Sequence, residues 1–383
     1  TYTGKTVTVT DTYGNAGIIT MADFVIDTTA PTMTITSTTN GVTDGSTTND
    51  SSIALRFTAG QATSNFAAND ISVSGGDLTN FASESSTVYT ATFTPTDDGA
   101  TTIDVGAGAF TDAAGNNNTA ADQFNWTYDG TAPSLTAVTQ VPTPSNDTTP
   151  SFIFRTDEAG TITSNLAFST SNSATAGDDL TITFNTLDAG TYTGKTVTVT
   201  DDAGNAGSIT MANFVIDTTA PTAEITYSGA GGSPYKQSDE VTITATFTEA
   251  LVTTPKIAIS GVSSIAATNM TSTASATVWT YAYVAPAGDG TETIALSVGT
   301  DASGNTVTSA PTSGATFTVD NTAPSLTAVT QVPTPSNDTT PSFIFRTGEA
   351  GTITTNISEG FSTSASATAG DDLTITFNTL DAG

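Results

Sequence analysis

Cysteine and histidine are both absent from the 383-residue sequence. Without them the chain cannot carry out Ser-His-Asp or Cys-His nucleophilic catalysis, and it cannot form a disulfide bond. It also lacks the ligands of tetrahedral His/Cys zinc sites and of the usual haem and iron-sulfur centres. No other pattern in the sequence indicates a catalytic site, so we expect that the protein is not an enzyme.

Basic residues are scarce, with 7 lysines and arginines against 37 aspartates and glutamates and a formal net charge of −30. Binding to nucleic acid or to an anionic membrane surface needs a cluster of basic side chains that displaces counterions. Seven scattered cations do not make such a cluster, so we expect no nucleic-acid partner. Hard cations such as calcium are the partners that an excess of carboxylates favours.

Long apolar runs are missing as well. No stretch approaches the roughly 18 consecutive apolar residues of a membrane-spanning helix, and the first residues carry no signal-peptide pattern, so we expect no direct membrane insertion. Apolar residues instead alternate with polar ones, as in Val7 and Val9 between threonines, or Ile53, Leu55 and Phe57. This period of two predicts strands with one buried and one solvent-exposed face.

A short motif, Asp-x-Thr-Ala-Pro, recurs along the chain and divides it into modules. It occupies residues 27–31, 129–133, 217–221 and 320–324. The prolines are separated by 102, 88 and 103 residues, which is the size of a small all-β domain. In the module after Pro221 the candidate strands are residues 223–228, 240–249, 256–260, 263–268, 276–285, 291–300 and 315–320. Seven short strands in about a hundred residues predict a β-sandwich with Greek-key connections.

The two ends of the chain have the sequences of two parts of one module. The sequence from Thr131 is nearly repeated from Thr322, but the second copy stops at Gly383. In the first copy the sequence continues into Thr191–Asp201, whose residues are identical to Thr1–Asp11. This pattern predicts one period of a four-module repeat that is cut inside a domain.

The repeat pattern predicts three complete domains and two partial ones. The complete domains are residues 28–129, 130–217 and 218–320. Residues 321–383 are expected to lack their last two strands, and residues 1–27 are expected to be two such strands. The predicted fold is all-β, with sandwiches arranged as beads on a string and one sandwich split between the two chain ends.

A second motif, Asp-x-x-Gly-Asn, precedes each linker and is typical of a tight turn before a last strand. It occupies residues 11–15, 112–116, 201–205 and 301–305. Together with the Asp-x-Thr-Ala-Pro linkers and the stretch Val88–Asn116, it resembles the bacterial immunoglobulin-like repeats of giant surface adhesins and biofilm proteins. The resemblance covers the whole chain. It implies tandem immunoglobulin-like Greek-key sandwiches in an extracellular stalk on a bacterial surface, often stiffened by calcium at the domain junctions.

In this topology the loops after the second and sixth strands lie beside the preceding linker, and acidic residues gather there. Three carboxylates are expected to converge at each junction, which suits the oxygen coordination of calcium. The candidates are Asp129, Asp157 or Glu158, and Asp201 before Pro133; Asp217, Glu249 and Asp301 before Pro221; and Asp320, Glu349 and Asp11 of the following repeat before Pro324. Facing loops add Asp50, Asp97, Asp98, Asp147, Asp188, Asp239 and Asp289. In the alternative interpretation, these residues only form turns.

The junction before Pro31 differs from the others. It contains Asp27 and Asp112, but its second-strand loop carries Gln61 and no acid. Because a glutamine offers a neutral oxygen where a glutamate offers a charged one, the site has fewer strong calcium ligands. We expect a weaker or absent ion and a more flexible hinge there.

Three hypotheses for the function follow. The repeats favour a structural stalk or fibre that provides reach and stiffness, in which further copies follow covalently in tandem. Alternatively, the chain is a self-assembling filament subunit, because an incomplete sandwich with an exposed edge accepts a strand from a neighbouring copy. The third hypothesis is binding to a surface receptor or glycan. Its candidate is the module from Pro221 to Asp320, which carries the aromatic residues Tyr227, Tyr235, Trp279, Tyr281 and Tyr283.

Overall fold

The computed structural model describes residues 1–229 and 232–381. Over these residues the regular structure is β-strand apart from one 3-10 turn, Ala68–Asp70, which confirms the predicted all-β fold. No helix in this part of the chain is long and apolar enough to cross a membrane. The chain divides into two compact units, residues 1–217 and 218–383.

The first unit begins with an antiparallel hairpin, residues 1–27, here called the leading hairpin. Its strands are β1 (Thr6–Thr10) and β2 (Ala16–Thr20). Val9 and Ile19 are 71% and 68% exposed. Strand β1 nevertheless alternates valine and threonine, as a strand with one buried face does. A two-stranded hairpin has no second layer to cover its apolar face. The leading hairpin therefore has the sequence of core strands without a core.

The first sandwich follows the leading hairpin. Its strands are β3 (Met33–Ser37), β4 (Ser46–Thr48), β5 (Ile53–Ala59), β6 (Ser72–Ser74), β7 (Gly76–Ser83), β8 (Val88–Pro95), β9 (Gly99–Asp104) and β10 (Phe124–Tyr128). They form two sheets, ordered β3-β5-β8-β7 and β4-β10-β9-β6. The predicted alternation is confirmed in β5, where Ile53, Leu55 and Phe57 are buried and Ala54 is exposed. Each fully buried side chain of this size contributes about 1.5–3 kcal/mol to folding.

The second sandwich completes the first unit. Its strands are β11 (Leu135–Thr139), β12 (Ser151–Thr156), β13 (Gly160–Ser164), β14 (Ser173–Ala174), β15 (Leu180–Thr183), β16 (Gly190–Tyr192), β17 (Thr196–Thr200), β18 (Ala206–Thr210) and β19 (Phe214–Ile216). They form sheets β11-β12-β15, β14-β13-β17-β18 and β16-β19. Val197 and Val199 of β17 are fully buried among Phe152, Phe154 and Phe184.

The third sandwich begins the second unit. Its strands are β20 (Ala223–Gly229), β21 (Glu240–Phe247), β22 (Lys256–Ser260), β23 (Ser264–Asn269), β24 (Thr271–Ser272), β25 (Val278–Val284), β26 (Gly290–Ser297) and β27 (Thr316–Val319). They form sheets β20-β21-β25-β24 and β23-β22-β26-β27. All seven strands predicted for this module are confirmed, and the two-residue β24 is additional.

The fourth sandwich is smaller. Its strands are β28 (Leu326–Thr330), β29 (Ser342–Thr347), β30 (Gly351–Thr352), β31 (Ser366–Ala367) and β32 (Leu373–Thr376), which correspond in sequence to β11–β15. They form sheets β28-β29-β32 and β30-β31. Among the described residues its buried core consists of Phe345, Ile375 and Phe377. The core of the second sandwich has 14 buried residues.

Candidate cation sites at the sandwich junctions

The Asp-x-x-Gly-Asn motif forms a closed turn around its aspartate. Asp201 Oδ1 accepts hydrogen bonds from the backbone N–H groups of Gly204 and Asn205 at 2.7 and 2.8 Å, and Oδ2 accepts one from Asn205 Nδ2 at 3.0 Å. The asparagine side chain makes the same bond to Asp11, Asp112 and Asp301. This bond is the main cause that lowers the pKa of Asp11 and Asp112, which keeps both carboxylates ionised.

The asparagine of the turn also holds the preceding linker. Asn205 Nδ2 donates to the backbone carbonyl of Asp129 at 2.8 Å, and Asn116 Nδ2 donates to that of Asp27 at 3.1 Å. The sequence motif predicts only a turn for these asparagines and not a bond to the linker. The aspartate of the motif recurs 16 to 19 residues before the aspartate of the next linker, and this spacing gives no sign of a contact with the preceding linker.

The first sandwich holds the same linker from its other side. Asp98 accepts hydrogen bonds from Gly130 N–H at 2.7 Å and Thr131 Oγ1 at 2.5 Å, and these bonds lower its pKa. Asn49 bonds directly to the second sandwich, with its backbone N–H 3.2 Å from the Ala203 carbonyl and its Nδ2 3.0 Å from Asn205 Oδ1. The two sandwiches are therefore joined by hydrogen bonds as well as by the chain.

Glu158 is the acidic residue of this junction whose pKa is raised, by burial and by the charges of the others. Its Oε2 is buried and has no hydrogen-bond partner. Burial raises the pKa of Glu158, and the charges of Asp129, Asp157, Asp201 and Asp98 raise it further. A buried oxygen that lacks a donor and faces other carboxylates is unfavourable unless a proton or a cation compensates it.

The structure distinguishes between the two candidates in the second-strand loop. Asp157 Oδ1 accepts a hydrogen bond from Ser134 N–H at 2.7 Å, so it already binds the backbone that follows the linker. Glu158 is the member whose carboxylate is left without a donor on one oxygen. The predicted residues Asp129, Glu158 and Asp201 are thus brought into one electrostatic cluster, here called the Glu158 cluster together with Asp98 and Asp157.

The ion pairs of the described residues lie elsewhere. Arg56 pairs with Glu84 at 3.3 Å, and the other two pairs, Arg155 with Asp179 and Arg346 with Asp372, have equivalent positions in the second and fourth sandwiches. All three pairs are substantially exposed. The Glu158 cluster therefore receives none of its charge compensation from these arginines.

The junction before Pro31 has the same turn but a different centre. Gln61 Nε2 donates to the backbone carbonyl of Thr29 at 3.0 Å, so its amide holds the linker by a neutral hydrogen bond. Asp27 and Asp112 line the same open cleft as Gln61. This junction therefore has two carboxylates and a hydrogen-bonded amide where the next junction has the acidic Glu158 cluster.

The second unit contains two residues of the set predicted before Pro221. Carboxylate oxygens of Glu249 and Asp301 lie within 4.8 Å of each other. Asp301 is 3% exposed and accepts hydrogen bonds from Ser303 and Asn305 N–H, both at 2.9 Å. The third predicted member, Asp217, is the last residue of the first unit. Calcium at this set stays a prediction.

At the linker before Pro324, Asp289 takes the role that Asp98 has at the linker before Pro133. It accepts hydrogen bonds from Asn321 N–H at 2.5 Å and from the Thr322 hydroxyl, which lower its pKa. The predicted ligands Asp320 and Glu349 belong to this second unit, and the third predicted ligand is Asp11 of the following repeat. Calcium at this set also stays a prediction.

The aromatic residues proposed as a binding surface lie largely inside the third sandwich. Tyr235, Trp279 and Tyr283 are buried in its core, and Tyr227 and Tyr281 are partly buried against it. The Tyr283 hydroxyl donates to Glu292 Oε1 at 2.8 Å, and burial raises the pKa of Tyr283 to about 12. Most of these aromatic side chains therefore pack in the core of the sandwich, and binding of a receptor or glycan by this module stays a prediction.

Comparison with protein families gives two matches. Residues 27–128 match a bacterial Ig-like domain, and residues 178–312 match a bacterial Ig-like domain of group 3. The chain carries bacterial immunoglobulin-like domains. The second match begins in the second sandwich and ends in the third. No curated protein gives a significant match to the sequence of these Ig-like domains.

Solved structures similar to these Ig-like domains are distant in sequence. The I-band fragment I67–I69 of titin aligns at 9% identity with a TM-score of 0.32, covering 76% of this chain and 96% of the fragment. The ICAM-5 D1–D4 ectodomain fragment aligns at 11% identity with a TM-score of 0.26, covering 90% and 91%. A putative membrane anchored protein from Corynebacterium diphtheriae aligns at 11% identity with a TM-score of 0.17, covering 83% and 97%.

Proposed function

We propose that these bacterial Ig-like domains form part of an extracellular stalk or fibre of a bacterial surface adhesin, and that calcium stiffens the stalk at the domain junctions. The observation that carries the proposal is the buried, unpartnered Oε2 of Glu158 beside four other carboxylates at a junction. In a stalk, the position of a distal domain depends on the angles at the junctions between the domains. Their stiffness therefore determines how far a distal domain is held from the surface.

The residues of the Glu158 cluster suit calcium. Calcium takes six to eight oxygen ligands from carboxylates, carbonyls and water, with flexible geometry, and weak extracellular sites bind it at roughly 10⁻⁴ to 10⁻³ M. Asp129, Glu158 and Asp201 supply the ligands in this proposal. A divalent cation among them removes the repulsion that otherwise raises the pKa of Glu158. The hydrogen bonds of Asn205 and Asp98 hold the linker in either state.

The other junctions follow by correspondence of sequence. Asp217, Glu249 and Asp301 match the three positions before Pro221, and Asp320 and Glu349 match two of them before Pro324. Asp11 of the following repeat supplies the third ligand in the latter set. We propose weaker or no binding before Pro31, because Gln61 is neutral and its amide already donates to Thr29.

Calcium titration by isothermal calorimetry tests the proposal on the 383-residue chain. We expect binding with a dissociation constant of roughly 10⁻⁴ to 10⁻³ M. Glu158→Gln should remove one site while the others remain. Glu84→Gln is the matched control, because Glu84 is an exposed acid paired with Arg56 away from the junctions. Calcium binding of the same stoichiometry in both variants would show that Glu158 does not belong to a calcium site.

A further inference from the structure

The linker after the first sandwich is held by the turn between β8 and β9. Asp98 is the residue before β9, and its carboxylate accepts hydrogen bonds from Gly130 N–H at 2.7 Å and from the Thr131 hydroxyl at 2.5 Å. These donors lie two and three residues after the end of β10. Gly130 also packs so closely on Tyr128 that a Cβ at this position would overlap the phenol hydroxyl. The chain is therefore held against the sandwich that it leaves.

The linker after the third sandwich is held by the equivalent turn, between β25 and β26. Asp289 is the residue before β26, and its carboxylate accepts hydrogen bonds from Asn321 N–H at 2.5 Å and from the Thr322 hydroxyl. These donors again lie two and three residues after the last strand, β27. The Asn321 side chain adds further bonds, because its Nδ2 donates to the Gly288 carbonyl and its Oδ1 accepts from Gln237 N–H. Both sandwiches therefore use one carboxylate at the same place to hold the chain that follows.

The second sandwich has no carboxylate at this place. The strand registers align the three turns, because Gly99, Gly190 and Gly290 each pair with the last residue of the final strand of their sandwich. The residue before Gly190 is Ala189, where the other two sandwiches have aspartate. A methyl group cannot accept a hydrogen bond from the chain that follows β19. The division between the two compact units of the chain follows this sandwich.

We propose that Asp98 and Asp289 are clamps that fix how the chain leaves the first and third sandwiches, and that the linker Asp217–Thr219, which has Ala189 in place of the clamp, is a hinge. The possible donors are of the same type at all three linkers, a backbone N–H followed by a threonine hydroxyl. The difference lies in the acceptor. In a stalk, a clamped linker passes the direction of one sandwich to the next, whereas an unclamped linker allows a bend.

The clamps need no cation, because each joins a carboxylate to neutral N–H and O–H donors. The inference therefore goes beyond the proposed calcium sites, and its experiments use the calcium-free chain. A failure of the clamps there is distinguishable from a failure of calcium to bind. Water can replace an acceptor at exposed positions, so we expect each clamp to change local opening several-fold and not to determine whether a sandwich folds.

Amide hydrogen exchange of the calcium-free chain, measured by NMR, tests the clamps. Asp289→Ala should accelerate exchange of the Asn321 amide about three- to tenfold, because the bond that protects it is lost. Asp98→Ala should have the same effect on the Gly130 amide. Asp97→Ala is the matched control, because it removes the same charge from the same turn, and it should leave the Gly130 amide unchanged. Unchanged exchange of both amides in the Asp289→Ala and Asp98→Ala chains would overturn the proposal.

The substitution Ala189→Asp tests the hinge by adding a clamp where the chain has none. We expect the Thr218 amide to exchange about three- to tenfold more slowly than in the unsubstituted chain. Thr186→Asp adds the same charge to the same loop and should leave this exchange unchanged. Cleavage after Asp217 by an Asp/Glu-specific protease provides the second measurement, and it should slow only in the Ala189→Asp chain. If neither measurement responds to Ala189→Asp, the assignment of the hinge is wrong.

Discussion

Two junctions of the first unit are built from the same turn but differ in the side chains at their centres. In both, the asparagine of the Asp-x-x-Gly-Asn turn donates to the carbonyl of the linker aspartate. Before Pro31 the centre of the junction is Gln61, whose amide donates to Thr29. Before Pro133 it is Glu158, with a buried oxygen that has no donor. The comparison separates the hydrogen bonds of the turn, which both junctions share, from the proposed binding of a cation, which we assign to Glu158 and its acidic neighbours.

Removal of calcium should produce the largest difference between the two junctions. We expect chelation to increase cleavage after Asp129 by an Asp/Glu-specific protease about tenfold. Calcium at about ten times its dissociation constant stabilises the folded junction by about 1.4 kcal/mol, and chelation removes this stabilisation. Cleavage after Asp27 should change much less, since that junction has no glutamate. Mass spectrometry of the fragments provides the rates. Equal acceleration at the two linkers would contradict the distinction between the junctions.

The substitution Gln61→Glu should give the first junction the calcium dependence that we propose for the second. Without calcium, we expect a loss of about 0.5–1.5 kcal/mol, because the hydrogen bond to Thr29 is removed and a third carboxylate is added. With calcium, the variant should bind one more ion and recover protection of the linker. Calorimetry and hydrogen exchange of peptides around residues 27–31 measure the two effects. An unchanged calcium stoichiometry would show that a glutamate at this position is not sufficient.

The pH dependence of the calcium-free chain should show the smallest effect. Because the folded-state pKa of Glu158 is raised, the folded protein binds more protons than the unfolded one above the ordinary value of 4.5. The free energy of unfolding therefore falls as pH rises from about 4.5 through the raised pKa of Glu158. Compared with Glu158→Gln, the unsubstituted second sandwich should lose stability as pH rises above about 4.5. Hydrogen exchange of its peptides measures this difference.

Other carboxylates do not obscure this comparison. The pKa of Asp112 is lowered by its hydrogen bonds, so its contribution is present above the ordinary aspartate value and is lost as pH falls through the lowered one. Asp112 lies at the other junction, so this contribution occurs in both proteins and cancels in the difference. A difference that grows on acidification would contradict the position of Glu158 among like charges.

The sequence was sufficient to predict the strands and the contrast between Gln61 and Glu158, because both depend on local pattern. Alternation with period two identifies a strand wherever one face is buried. The bond from Asn205 to the linker was not predictable, because it joins residues 76 positions apart whose approach depends on how strands pair. The sequence did not show whether Tyr235 and Tyr283 are buried, since tyrosine is common both in cores and on binding surfaces.

Double electron-electron resonance across the second junction tests the central claim most directly. Spin labels are introduced by Thr79→Cys and Thr181→Cys, which are exposed strand positions in the first and second sandwiches. Labels at Thr8→Cys and Thr79→Cys span the junction before Pro31 as the control. We expect calcium to narrow the distance distribution between labels at residues 79 and 181 and to leave that between residues 8 and 79 nearly unchanged. An equally broad distribution for the first pair with and without calcium would contradict it.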